Sequence, residues 1–240
     1  MKTPTHYIYS SVVCLLLLGG CTSPPLHDHV AILKDVTDTH LVQPDTHAIR
    51  SMLTLTADRW AGAKVSVAPI TDVGYNARHE LSIRSSSSFT GNLTARNIEV
   101  REFWHQFELA WDILKDSTGR EHTSVYRSLV RELEYLSSSP ALNRTLLVYS
   151  DLGENSEIFS VHSRKDWKLL EEEPDSVMRR LSKEHPLPES MEGITVWFIH
   201  QPTTPDDDVR FSRMSALFSS AFTQQGATVK IGGTPHVTQF

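Results

Sequence analysis

The sequence predicts an α/β fold: one domain in three layers, α/β/α, with a mostly parallel central sheet. Three observations lead there. Val30-Ala31-Ile32-Leu33 is an unbroken apolar run, and Thr145 to Tyr149 and Ile194 to Ile199 are short, mostly apolar runs, the pattern of strands covered on both faces. Stretches of helical spacing separate them, and strands alternating with helices build a parallel sheet. The composition, 39% hydrophobic and 22% charged over 240 residues, is that of an ordinary globular chain. A formal charge of −6 argues against a nucleic-acid partner, which calls for a basic footprint.

The elements follow in order. After the Val30 strand, a helix is expected from about Pro44 to Trp60, with Ile49, Leu53 and Trp60 on one face. Ala63 to Ile70 alternates as a strand, and a turn near Gly74-Tyr75-Asn76 leads to a second strand around His79 to Arg84. That pair reads as a hairpin or an antiparallel edge. Ser85 to Asn92 is polar and low in complexity, hence a loop. Phe103, Phe107, Ala110, Trp111 and Leu114 form an apolar stripe on a helix from Ile98 to Lys115. A second stripe, Val125, Leu129, Leu133 and Leu136, marks a helix from about Thr123 to Leu136. Asp166 to Lys183 is acidic and helical, Phe211 to Gln225 a helix, and Thr228 to Ile231 a final strand. Glu171-Glu172-Glu173 and Asp206-Asp207-Asp208 are read as solvated faces or loops.

The N-terminus has the form of a secretory signal. Lys2 precedes an apolar core from Val12 to Leu18, which is too short to span a bilayer. It ends in Leu18-Gly19-Gly20-Cys21. This resembles a bacterial lipobox, and the resemblance implies removal of residues 1–20, a diacylglyceryl group on Cys21 and acylation (palmitate) of the new amine. Residues 21–29 would then be a lipidated tether and residues 30–240 the domain. Of the two cysteines, Cys14 leaves with the signal and Cys21 carries lipid, so no thiol remains for a disulfide or a nucleophile. Thr22 is not the aspartate that retains enteric lipoproteins in the inner membrane, which favours the outer membrane.

Two central strands end in aspartate, Asp35 and Asp151, and ligands of open α/β sheets bind beyond the carboxyl ends of strands. Asp35-x-Thr37-x-Thr39 places a carboxylate and two hydroxyls on one turn. Such oxygens suit a hard cation that keeps several waters. The same residues also suit a helix cap that binds nothing, and both readings stay open here.

The order strand-Asp-x-Thr-x-Thr, then a Thr at a helix start, then strand-Ser-Asp resembles the von Willebrand factor A domain with its metal-ion-dependent adhesion site. The resemblance runs from about Val30 to Gly232 through element order rather than identity. It implies a Rossmann-type sheet with an antiparallel edge strand, and Mg²⁺ or another divalent cation on Asp35, Thr37, Thr39, Thr123 and Asp151. Threonines stand where the family's motif usually has serines, and Asp38 adds a charge.

These readings imply a lipid-anchored protein-binding module of the cell envelope, its partners the membrane and another envelope or extracellular protein. The alternative is a metal-free accessory lipoprotein of an envelope, secretion or conjugation assembly. A metal-dependent hydrolase ranks last, and the chain is read as not an enzyme. No Gly-x-Ser-x-Gly or Gly-rich phosphate loop occurs, and the twelve histidines show no ligand spacing.

Overall fold

The computed structural model describes residues 25–36, 45–71, 77–113 and 123–234. Six strands form one sheet: β1 Leu26–Asp35, β2 Gly62–Ile70, β3 His79–Ile83, β4 Asn143–Tyr149, β5 Ile194–Ile199 and β6 Thr228–Gly232. Their order is β3-β2-β1-β4-β5-β6. All neighbours are parallel except β2 and β3, so β3 is an antiparallel edge. The predicted fold class is the observed one.

Seven helices occur among the described residues: α1 Thr46–Met52, α2 Thr54–Ala57, α3 Leu93–Ile113, α4 Val125–Ser137, α5 Arg164–Glu172, α6 Pro174–Glu184 and α7 Pro205–Gln224. They cover both faces of the sheet. Leu129, Leu133, Leu181, Phe218 and Phe222 from α4, α6 and α7 meet Leu33, Leu146 and Phe198 on one face. Ile49, Leu55, Phe103 and Phe107 from α1, α2 and α3 meet Ile32, Val65 and Leu147 on the other. β1 and β4 lie at the centre, and their apolar runs are buried on both sides, as an unbroken rather than alternating pattern requires.

Several boundaries differ from the sequence reading, each for a physical reason. β1 starts at Leu26 and pairs with β2 and β4 from its first residues, so 26–29 belong to the sheet rather than to a tether. The helix expected through Trp60 breaks at Leu53. The Thr54 amide donates to Asp28 Oδ2 at 2.7 Å, which restarts the helix as α2. The acidic helical segment divides at Pro174, which has no N–H for a continuous ladder. α3 starts earlier, at Leu93, because Asn92 Oδ1 accepts the Ala95 amide as its N-cap. α7 also starts earlier. Thr204 caps it, Pro205 opens it, and Asp206-Asp207-Asp208 form its first turn, where the helix dipole favours anions. The turn at 74–76, Leu114 and the N-terminal signal lie outside the described residues.

Candidate functional site

The strand order reverses direction between β1 and β4. Beyond the carboxyl ends of two such strands lies the crevice in which open α/β sheets bind ligands. Asp35, the last residue of β1, is buried there. Ser150, the first residue after β4, is also buried and donates its hydroxyl to Asp35 Oδ2 at 3.0 Å. Ser150 Oγ in turn accepts the Leu152 amide at 2.9 Å. A hydroxyl has one proton and two lone pairs, so these two bonds leave Ser150 one acceptor position. Asp151 follows, half-buried, with Oδ1 accepting the Gly153 amide at 2.8 Å.

The loop after Asp151 is built under backbone constraint. Leu152 has φ of 61° and is fully buried, a conformation uncommon for a non-glycine residue. Such strain, about 1–3 kcal/mol, tends to be held at functional positions. Two residues on, Glu154 is buried and accepts the Tyr126 amide at 2.8 Å. It therefore caps α4 from outside the helix. Burial, which disfavours the charged form, pushes its carboxyl up to about 7, against the bonds from Ser156, Tyr126 and Val125 that favour the anion.

Thr123 is drawn into the same loop. Its amide donates to the Asn155 carbonyl at 3.2 Å, and the Asn155 amide returns a bond to its carbonyl at 2.9 Å. The neighbouring Ser124 amide donates to the carbonyl of Thr71, just past the end of β2. The ends of β1, β2 and β4 and the start of α4 are thus linked through Asp35, Thr71, Ser150 and Thr123. Of the five residues assigned to a cation, Asp35, Thr123 and Asp151 belong to these linked ends. Thr37 and Thr39 lie outside the described residues, as does Cys21.

Sequence reasoning missed Ser150 and Glu154 as parts of the site. Ser150 was legible as the residue between a buried strand and Asp151. Glu154 had no signal, because its role depends on which helix end its loop meets. His200, at the end of β5, is a further buried polar group, with Nε2 3.0 Å from Asp207 Oδ1.

A groove of about 880 Å³ runs beside the site, lined by Ser124, Arg127, Asn155, Arg180, Lys183 and His185, with Glu157 and Glu184 at its side. A second groove, about 910 Å³, lies between α1, α2 and α3 and includes no residue from a strand's carboxyl end. Among the described residues no three His, Cys, Asp or Glu side chains gather as a metal cluster, so a cation here would depend on hydroxyl oxygens. No family model matches the chain, and no curated protein does.

Proposed function

We propose that the chain is a lipid-anchored binding module of the von Willebrand factor A type, held in the cell envelope through Cys21. Its switch-point crevice takes a divalent cation, and through it an acidic group of a partner protein. The observation that carries this reading is the Asp35–Ser150 contact at the carboxyl ends of β1 and β4. It supplies a carboxylate and a hydroxyl oxygen at one point, the donor chemistry Mg²⁺ prefers. The antiparallel edge strand and the sheet order support the resemblance. Arg127, Arg180 and Lys183 in the adjoining groove suit an acidic partner.

A second reading, a metal-free accessory module, is favoured by one observation. Asp35 Oδ2 and Asp151 Oδ1 each already accept a hydrogen bond from the protein.

One experiment separates the two. Millimolar Mg²⁺ or Mn²⁺ added to chelator-treated protein is expected to raise its melting temperature. A ligand that binds only the native state stabilises by about 2.7 kcal/mol at one hundred times Kd. Asp35→Ala is expected to abolish the response while leaving the domain folded. A flat titration of the wild type leaves the metal-free module.

A further inference from the structure

We propose that the amino-terminal end of the sheet is a membrane-contacting face, with Phe89, Leu93 and Leu142 entering the lipid interface beside the acylated Cys21. This rests on the lipoprotein reading above. Two loops bracket the point where the chain enters β1. Ser85 Oγ donates to the Pro25 carbonyl, and the Leu142 amide donates to the Leu26 carbonyl at 3.1 Å. Each loop carries an apolar side chain with no cover. Phe89 is 94% exposed and Leu142 62% exposed, while Leu93, in the first turn of α3, is 53% exposed. Large exposed apolar groups that cluster on one surface mark an interaction site.

Phe89 is held out by defined structure. The Ser86 amide donates to the Trp60 carbonyl at 2.9 Å, and the Gly91 amide closes a turn onto the Ser87 carbonyl at 2.8 Å. The Phe89 amide donates to Ser87 Oγ at 3.2 Å. Gly91 sits against the Trp60 ring with no room for a Cβ. The tip is therefore fixed on the end of β2 with its ring in solvent.

The occupant follows from chain length. Cys21 precedes Pro25 by four residues, and four residues of extended chain reach at most about 14 Å. Acyl chains on Cys21 would bring this end of the sheet to the headgroup layer. Three apolar side chains bind a bilayer weakly when free, but tethering makes their insertion intramolecular. An aromatic ring at that depth is favourable. β1 has ten residues, about 33 Å of strand. The Asp35–Ser150 crevice at its far end would then be presented away from the membrane, open to a partner.

The test uses the full acylated protein in vesicles of phosphatidylethanolamine and phosphatidylglycerol. An environment-sensitive fluorophore is placed by Phe89→Cys, by Leu142→Cys or, at the opposite end, by Glu157→Cys. On the lipoprotein reading no other thiol remains to react. Lipids carrying nitroxide groups are expected to quench the labels at positions 89 and 142 several-fold more than the label at 157. Equal quenching at all three positions overturns the proposal. So does protection at 89 that depends on protein concentration rather than on lipid, which would mark a contact between copies. Mass measurement of the Cys21 peptide keeps the two readings apart. If diacylglyceryl is present and quenching is equal, only the docking face falls; if it is absent, the anchor falls and the face with it.

Discussion

Asp28 and Asp35 stand near opposite ends of β1, and both are buried. Asp28 is held by three donors from two other elements. The Thr54 amide and hydroxyl reach it at 2.7 and 3.2 Å, and the Asn143 side-chain amide at 2.9 Å. Those bonds start α2 and tie it to β1 and β4. Asp35 accepts from the Ser150 hydroxyl, which itself accepts the Leu152 amide. Two of the three donors to Asp28 are amide N–H groups, which can only donate, whereas the Ser150 hydroxyl keeps an acceptor position that can face a cation. That contrast separates a structural carboxylate from a candidate ligand. Burial alone does not do it; the chemistry of the partners does.

The largest expected effect sets these two residues against each other. Asp28→Ala removes the acceptor of the half-buried Thr54 amide, and an unsatisfied donor costs about 1–3 kcal/mol when water cannot replace the bond. Asn143 is exposed and can turn to water, so a loss of about 2 kcal/mol is expected, which lowers the melting temperature by several degrees. Asp35→Ala in chelator-treated protein is expected to change stability less, because losing the Ser150 bond is offset by removing a carboxylate from a buried position. Equal losses in thermal unfolding would make Asp35 a structural residue like Asp28.

The same contrast explains what the sequence could and could not disclose. Val30 to Leu33 and Leu146 to Val148 read as buried strands because every residue of each run is apolar, and all are buried. The α4 stripe was readable for the same reason. The break at Leu53 was not, since it depends on Asp28, distant in sequence. The start of β1 was hidden because Asp28 and His29 look like tether residues, yet both are buried in the sheet. The start of α7 is marked by Thr204-Pro205, but an acidic triplet has the same composition in a solvated loop as in a helix's first turn. Asp35 and Asp151 were legible as residues at or just past the ends of buried strands. Glu154 was not, because a carboxylate in a loop announces neither its burial nor the helix it caps.

Two buried groups at the two ends should give stability opposite dependences on pH. Burial and the nearby Lys64 and Arg78 cations push His29 down to about 4, partly offset by Glu80. Neither ring nitrogen has a hydrogen-bond partner among the described residues. Its contribution is present above its ordinary value near 6.5 and is lost as pH falls through 4. Glu154 is raised from its ordinary 4.5 to about 7. Its contribution is therefore complete below 4.5 and is lost as pH rises through 7. Glu154→Gln imitates the protonated acid, so it should match wild type near pH 4.5. The variant should gain on wild type by about 1–3 kcal/mol by pH 8. Thermal unfolding across that range checks it. A constant difference between the two proteins would mean that Glu154 titrates alike folded and unfolded.

The smallest expected effect belongs to the contact that defines the site. Ser150→Ala removes the donor to Asp35 Oδ2 and the acceptor for the Leu152 amide together, so its total cost mixes two bonds. A double-mutant cycle with Asp35→Ala isolates the part shared by the pair, because the Leu152 bond is lost equally in both backgrounds. A net hydrogen bond to a charged group predicts a coupling of roughly 1.5 kcal/mol in ion-free protein. If a cation takes the Asp35 charge, the hydroxyl turns its lone pair to the ion and the pairwise bond weakens. Saturating Mg²⁺ should then reduce the coupling, even as it raises the stability of the wild type. In a metal-free module Asp35 and Ser150 would hold each other as Asp28 and Thr54 do, and the coupling would be the same with and without the ion.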